Sequence, residues 1–267
     1  MTRDDFVLRR EESLKLLEGF RLIDDDFMTV FFKDNIPCTE LVLRIVLDMP
    51  DLVVEEVHTQ VHLSNMPEDR AVRLDVVARD GEGRLINIEV QRTDKGAGSR
   101  RARFNSSMLD ASLLQKGQGF DRLPETYVIF ITERDFFGKG LPVYKIERCI
   151  LDLNALFDDG AHILYVNGSY RDDTPVGRLM HDFFCTRSED MHYGVLAKKM
   201  EYYKKTNEGS GNMCRAVEDM MKKVQHDERR SIAQNMLMTG RFTLEDIAQL
   251  AELPLDEVNR LRESLPQ

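Results

Sequence analysis

The stretch that most constrains this chain is Arg73 to Gln91, RLDVVARDGEGRLINIEVQ. Leu74, Val76 and Ala78 alternate with Asp75, Val77 and Arg79. After a Gly-containing turn, Ile86, Ile88 and Val90 alternate with Asn87, Glu89 and Gln91. Period-two alternation reads as two half-buried strands. Successive side chains point to opposite faces. Leu74, Val76, Ala78, Ile86, Ile88 and Val90 are therefore expected on one apolar face, and Asp75, Glu89 and Gln91 on the other. A three-residue loop, Gly81 to Gly83, with Gly83 in a left-handed bulge position, pairs Asp80 with Arg84 and Asp75 with Glu89. A two- or four-residue loop would set Asp75 opposite Ile88 or Val90 and bring a carboxylate onto the core face. The hydrophobic pattern thus selects the register that joins the two carboxylates. Opposed carboxylates repel each other, and a hard divalent cation bound by oxygen is the natural compensation.

An Asp, a hairpin turn and then Glu-x-Gln resemble the PD-(D/E)XK nuclease signature. The likeness is greatest to the PD-(D/E)XK nuclease family transposases, also called recombination-promoting nucleases, where the third position is usually Gln rather than Lys. The resemblance implies that Asp75 and Glu89 are metal ligands for Mg²⁺ or Mn²⁺, that the backbone carbonyl of Val90 is a further ligand, and that Gln91 is the third catalytic group. It implies a DNA endonuclease that hydrolyses phosphodiester bonds, in the setting of transposition or recombination. Glu40, in the helix before the first strand, is the candidate for an additional acidic ligand. Its alternative is a first-turn glutamate favoured by the helix dipole. No Pro precedes Asp75, and Gln91 carries no charge, so it can orient a water but not stabilise an anion as an ammonium does. That departure, with the acidic composition, supports an alternative: a nuclease-like module that binds nucleic acid or protein without cutting it.

The rest of the chain is consistent with such a core. Ile23 to Asp34 resembles the start of the same family. Thr39 to Leu47 reads as a helix, with Pro37 and Thr39 as start signals. Asp51 to Leu63 reads as a strand, with His58 and His62 on its polar alternation. Arg92, Lys95, Arg100, Arg101 and Arg103 make the densest basic cluster and open a helix that runs to about Lys116, before Gly117. Arginines at a helix N-terminus suit phosphate oxygens, and this cluster is the expected DNA contact. The segment from Arg101 to Phe120 again resembles the family. Glu125 to Ile131 is a short apolar run, as for a strand buried on both faces. The order of helix, strand, hairpin, helix, strand predicts an α/β (α+β) fold: a restriction-endonuclease-like mixed sheet flanked by helices. Lys145 to Leu151 and His162 to Asn167 extend the sheet.

Three regions follow: a helical lead over 1–20, the nuclease-like core over 21–170, and a helical C-terminal region over 171–267. The last contains a break at Asn207 to Asn212 and ends in a helix-turn-helix-like pair around Glu252-Leu253-Pro254. Asp256 and Glu257 open its second helix, where base contacts would be made, so packing or partner contact is the expected role.

Of 267 residues, 42% are hydrophobic and 31% charged, as in a soluble globular protein, and the net charge of −10 counts against broad, tight DNA binding. No run is apolar enough to span a membrane, and the charged N-terminus lacks a signal peptide's apolar stretch. A cytoplasmic protein is expected, with Cys38, Cys149, Cys185 and Cys214 reduced and without paired metal spacing. DNA is the implied partner, and assembly with further copies of the chain is left open.

Overall fold

The computed structural model describes residue 15 and residues 17–63, 72–92, 96–114 and 117–264, without the side chains of 216, 217, 220, 221, 223 and 224. Most of the expected N-terminal lead lies outside the described residues.

The first described helices are α1 (Asp25–Phe32) and α2 (Ile36–Leu47). Phe27, Met28, Phe31 and Phe32 bury the inner side of α1. Asn35 caps α2 by accepting the Cys38 N–H, with Pro37 in the first turn, so the helix starts before Thr39. Then follow β1 (Val54–Leu63), β2 (Val72–Asp80), β3 (Leu85–Gln91), α3 (Ser99–Leu113) and β4 (Thr126–Thr132). This is the order expected of the restriction-endonuclease-like core. The segment after it supplies β5 (Val143–Ile146), a small ladder of β6 (Cys149–Ile150) with β7 (Ala155–Leu156), and β8 (Ala161–Asn167).

The main sheet has the order β1-β2-β3-β4-β8-β5. The β1–β2 and β2–β3 pairs are antiparallel, β3–β4 and β4–β8 are parallel, and β5 closes the edge antiparallel to β8. The fold is thus a mixed six-stranded sheet flanked by helices, as in restriction-endonuclease-like proteins. The hairpin adopts the three-residue loop: Val76 faces Ile88, Ala78 faces Ile86, and Asp80 N–H donates to the Arg84 carbonyl at 3.2 Å. Gly83 sits at φ +83°, where a side chain would strain the turn. The buried Asp80 carboxylate accepts from the backbone of Glu82 and Arg84 and from the Arg84 guanidinium, which fastens the loop.

One expectation needs correction. The face carrying Asp75 and Glu89 is not half solvated. β3 lies between an antiparallel and a parallel neighbour, and the parallel connection to β4 runs through α3, which is laid over that face. Ala102 and Leu109 of α3 join Val77, Leu85, Val128, Phe130 and Tyr165 in one apolar cluster. On the other face Val76, Ala78, Ile86, Ile88 and Val90 are 0–3% exposed.

The C-terminal half forms α4 (Pro175–Phe184), α5 (Gly194–Lys205), α6 (Asn207–Thr239), α7 (Leu244–Leu250) and α8 (Leu255–Glu263). The chain divides into two compact units, 1–214 and 215–267, and the division falls inside α6. The reason is packing: α4 and α5 lie against α2. The expected break at Asn207 to Asn212 is helical. Thr206 Oγ1 accepts the Gly209 N–H at 2.9 Å and caps α6, and a Cβ on Gly209 would meet the Tyr202 carbonyl at 2.0 Å, so glycine here allows close approach rather than disorder.

In the second unit Ala233, Ile247, Ala251, Leu253, Val258 and Leu261 form a small core, and Thr243 with Asp246 makes a capping box. At the start of α8, Glu257 pairs with His226 and Arg230, and Asp256 with Arg260.

Candidate active site

Asp75 and Glu89 stand opposite each other in the continued hairpin register and share the face under α3. Glu89 is 0% exposed. The recorded ladder between β2 and β3 ends at Val76 and Ile88, and beyond it the side chains take over. Asp75 N–H donates to Glu89 Oε1 at 3.3 Å, and Val90 N–H donates to Asp75 Oδ2 at 3.4 Å. The Val90 N–H points toward Asp75, and in a strand the carbonyl of the same residue points the same way. The Val90 carbonyl therefore lies on the β2 side of β3, the side of Asp75.

The Asp75 amide is free for this because of β1. Gln60 is the residue opposite Asp75 in the β1–β2 register, between the pairs Thr59–Val76 and Val61–Leu74. It has φ +56°, and its side chain is held by donation to Thr29 Oγ1 at 3.0 Å. A left-handed residue turns its peptide out of the ladder.

Two further groups hold Glu89. Asn87 Nδ2 donates to Oε1 at 3.0 Å, and Arg101 Nη2, from the first turn of α3, donates to Oε2 at 2.9 Å. Asn87 Oδ1 is buried and has no hydrogen-bond partner. An orphaned buried oxygen beside two carboxylates is an unfilled acceptor in the site itself. Burial first, then Glu89 and Asp25, push the Asp75 carboxyl well above the usual range, with donation from Val90 and the charge of Arg101 pulling the other way. Burial raises Glu89 too, against the pull of Asn87 and Arg101.

The start of α1 adds acids that the sequence reading passed over. Burial, with Asp26 as the next cause, raises Asp25. Asp24, at the N-cap of α1, is paired with Arg21 at 3.1 Å and with Arg92 at 3.2 Å. Glu133, just past β4, lies 3.9 Å from both arginines. A run of three acids opening an apolar helix was the available signal for this cluster. Gln60 offered none, since no glycine marks its left-handed turn.

The expected site residues fall as follows. Gln91 lies on the Glu89 face at the end of β3, with its amide against Gly96, where an added Cβ would meet Oε1 at 1.6 Å. Glu40 is elsewhere. Its carboxylate accepts the Val54 N–H at 3.0 Å and pairs with Arg44 at 2.7 Å. Val54 is opposite Asp80, at the turn end of the hairpin, five residues and about 17 Å of strand from Asp75. Glu40 is thus a strand-start cap and not a candidate ligand. Of the basic cluster, Arg92 and Arg101 are engaged by carboxylates. Arg100 and Arg103 are exposed, with no ion pair among the described residues. Lys95 lies outside the described residues. His58 and His62 are on the exposed side of β1. A 440 Å³ cavity lined by Met49, Asp51, Asp80 and Arg84 sits at the turn end as well, away from the carboxylates.

The donor set fits a hard divalent cation. Asp75 and Glu89 carboxylates, the Val90 carbonyl and the orphaned Asn87 Oδ1 are all oxygens, as Mg²⁺ and Mn²⁺ require, and no thiol or imidazole is among them.

No described helix is long and apolar enough to cross a membrane. No curated protein and no solved structure matches the chain. Residues 43–167, from within α2 to the end of β8, match the family model described as PD-(D/E)XK nuclease family transposase. Asp75, Glu89, Gln91 and the whole sheet lie inside that match, so this segment is similar to a PD-(D/E)XK nuclease family transposase domain.

Proposed function

We infer that the chain is a metal-dependent DNA endonuclease of the PD-(D/E)XK type, acting on phosphodiester bonds in transposition or recombination. The observation that carries this reading is the buried pair of opposed carboxylates, Asp75 and Glu89, at the splayed end of the hairpin. Two like charges under a helix destabilise a fold unless a cation joins them. Asp75, Glu89 and the Val90 carbonyl would hold Mg²⁺ or Mn²⁺, with Asn87 Oδ1 as a further buried oxygen without a partner. When bound, such an ion lowers the pKa of a coordinated water and stabilises charge on the phosphate.

The chain's own residues supply orientation. Asn87 fixes the rotation of Glu89 through Oε1. The Gln91 amide, at the rim of the same face, orients the attacking water. Arg101 neutralises Glu89 in the metal-free protein and stands at the α3 N-terminus. Arg100 and Arg103 beside it are the side chains available to flanking phosphates.

The test is nicking of supercoiled plasmid with Mg²⁺ or Mn²⁺ by the parent and by Asp75→Asn. Cleavage by the parent alone is expected. A second reading has its own observation: Arg92 and Arg101, two of the basic cluster expected to contact DNA, are both already paired with acids. Protein that retards DNA without cutting it in either metal would select the non-cleaving binding module.

A further inference from the structure

A second cluster, unrelated to the carboxylate pair, lies at the end of α4. His181 and Cys185 are four residues apart, one helical turn, and so project from the same side of the chain. Cys185 Sγ is 3.5 Å from His181 Nδ1, and the same nitrogen is 3.4 Å from Asp182 Oδ1. Donor atoms of His181, Asp182 and Cys185 all lie within 4.8 Å of one another. The His192 ring centre is 4.6 Å from that of His181.

These separations can be compared with coordination geometry. With Zn–S of about 2.3 Å and Zn–N or Zn–O of about 2.0–2.1 Å, a tetrahedral site has a sulfur–nitrogen edge of about 3.6 Å and a nitrogen–oxygen edge of about 3.4 Å. Two edges of the cluster already have these lengths. The carboxylate is held as an outer shell would hold a ligand: Asp182 Oδ1 accepts the His192 N–H at 2.7 Å, and Oδ2 accepts the Tyr193 N–H at 2.8 Å. Each carboxylate oxygen has a second lone pair, so these bonds leave Oδ1 able to bind a cation.

Charge gives an independent reason. Asp182 is 0% exposed, and among the described residues the one ion pair it makes is with His181, whose Nδ1 is 3.4 Å from Oδ1. A buried carboxylate needs a cation or a full set of donors.

We propose that His181, Asp182 and Cys185 bind one borderline-soft divalent cation of the zinc class, with the His192 imidazole as the fourth donor. Thiolate and imidazole select such an ion against Mg²⁺, whereas the all-oxygen set at Asp75 and Glu89 selects the reverse. Binding converts the Cys185 thiol to a metal thiolate and releases its proton to solvent.

The role is structural. The ion would fasten the end of α4 to the 188–193 segment that leads into α5. That junction also carries the start of α1. Ile23 N–H donates to the Phe183 carbonyl at 3.1 Å, and Lys204 Nζ donates to the carbonyls of Phe20 and Thr186, each at 2.6 Å. Asp24 and Asp25 follow directly.

The experiment is Co²⁺ titration of the chelator-stripped full-length protein, followed by absorption. One equivalent should produce a thiolate-to-Co²⁺ charge-transfer band with tetrahedral d–d bands, and Zn²⁺ should displace it. Saturating Zn²⁺ should raise the melting temperature by about 5 °C. Cys185→Ser should lose the band and weaken Zn²⁺ binding by about 100-fold or more. His181→Gln should weaken it as well, and serves alone if Cys185→Ser fails to fold by circular dichroism. Cys149→Ser, at an exposed thiol, and Asp75→Asn should both keep the band. A parent protein with no charge-transfer band, a band that survives Cys185→Ser or His181→Gln, or one lost in Cys149→Ser, would overturn the proposal.

Discussion

Asp75 and Glu89 are tied crosswise: the Asp75 amide donates to the Glu89 carboxylate at 3.3 Å, while the amide after Glu89, that of Val90, donates to the Asp75 carboxylate at 3.4 Å. Two carboxylates thereby occupy places where ladder hydrogen bonds would continue. The arrangement keeps both acids at fixed positions before any cation is present, which is the preorganisation that a metal site needs. Its consequence is that the metal-free protein carries buried negative charge with one guanidinium, that of Arg101, to offset it.

The first prediction concerns pH. Burial, Glu89 and Asp25 push Asp75 up to about 8 in the fold. In the unfolded chain the same carboxyl titrates near about 4. A group whose folded pKa is raised stabilises the protein fully below the unfolded value, and that stability is lost as pH rises toward the folded value. Chelated protein should therefore melt progressively lower between pH 4 and pH 8, by about 10 °C or more in all. Asp75→Asn should flatten this dependence and melt no lower than the parent at pH 8. A parent profile as flat as that of Asp75→Asn would mean that Asp75 ionises without penalty.

The second prediction concerns Arg101. Arg101→Ala leaves Glu89 buried with Asn87 and the Asp75 amide as its remaining donors. The guanidinium is 43% exposed, so solvent already screens the pair and the loss should be about 1–2 kcal/mol rather than the larger value of a fully buried pair. A divalent cation at the carboxylates would replace the missing charge. Urea denaturation should show Arg101→Ala below the parent without metal, and the gap should narrow in Mg²⁺ or Mn²⁺. A gap of the same size with and without metal would place the cation away from Glu89.

The hairpin and its register were legible because period-two alternation and the Gly81–Gly83 loop leave one pairing that keeps Asp75 off the core face. The order of helix, strand, hairpin, helix and strand along the chain was legible for a similar local reason: apolar runs and helix start signals follow one another in sequence, whereas Cys149 and Ile150, read as part of the sheet, pair in a separate small ladder. What was not legible depends on contacts across the chain. Arg101 reads as a phosphate contact from its helix start alone, and its pairing with Glu89 requires knowing that α3 crosses back over β3. Gln60 carries no glycine to mark its turn. Glu40 looks free until the start of β1 is brought to it. His181, Asp182 and Cys185 are close in sequence at the end of α4, but His192 joins them only when the segment after α4 folds back.

The third prediction tests Gln60. A β-branched residue tolerates φ +56° poorly, whereas glycine adopts it freely. Gln60→Val should destabilise the protein by about 1–3 kcal/mol, and if its backbone flips back into the ladder the Asp75 amide returns to β1 and leaves Glu89. Gln60→Gly should cost no more than the lost bond to Thr29, about 1 kcal/mol, and keep metal binding. Chemical denaturation gives the first quantity and Mn²⁺ titration the second. Equal metal affinity in the two variants, with Gln60→Val folded, would show that the left-handed turn does not set the Asp75 position.

The last prediction separates the position of Gln91 from its presence. The Gln91 amide lies against Gly96, and an added Cβ at that residue would sit 1.6 Å from Oε1. The atom in the way is the far end of a flexible side chain, so Gly96→Ala should fold normally while the amide swings aside. If that amide orients the attacking water, Gly96→Ala should lower single-turnover cleavage by roughly 10- to 100-fold, with DNA affinity unchanged, because a neutral group releases no counterions on binding. Gln91→Ala should give a similar loss, and the double variant no further one, since both changes remove the same group from the same place. Gln91→Lys, which adds a charged donor at this position, should cut at least as fast as the parent. Should Gly96→Ala and Gln91→Ala both cleave at the parent rate, Gln91 would have no part in the reaction and the water would be oriented by the carboxylates alone.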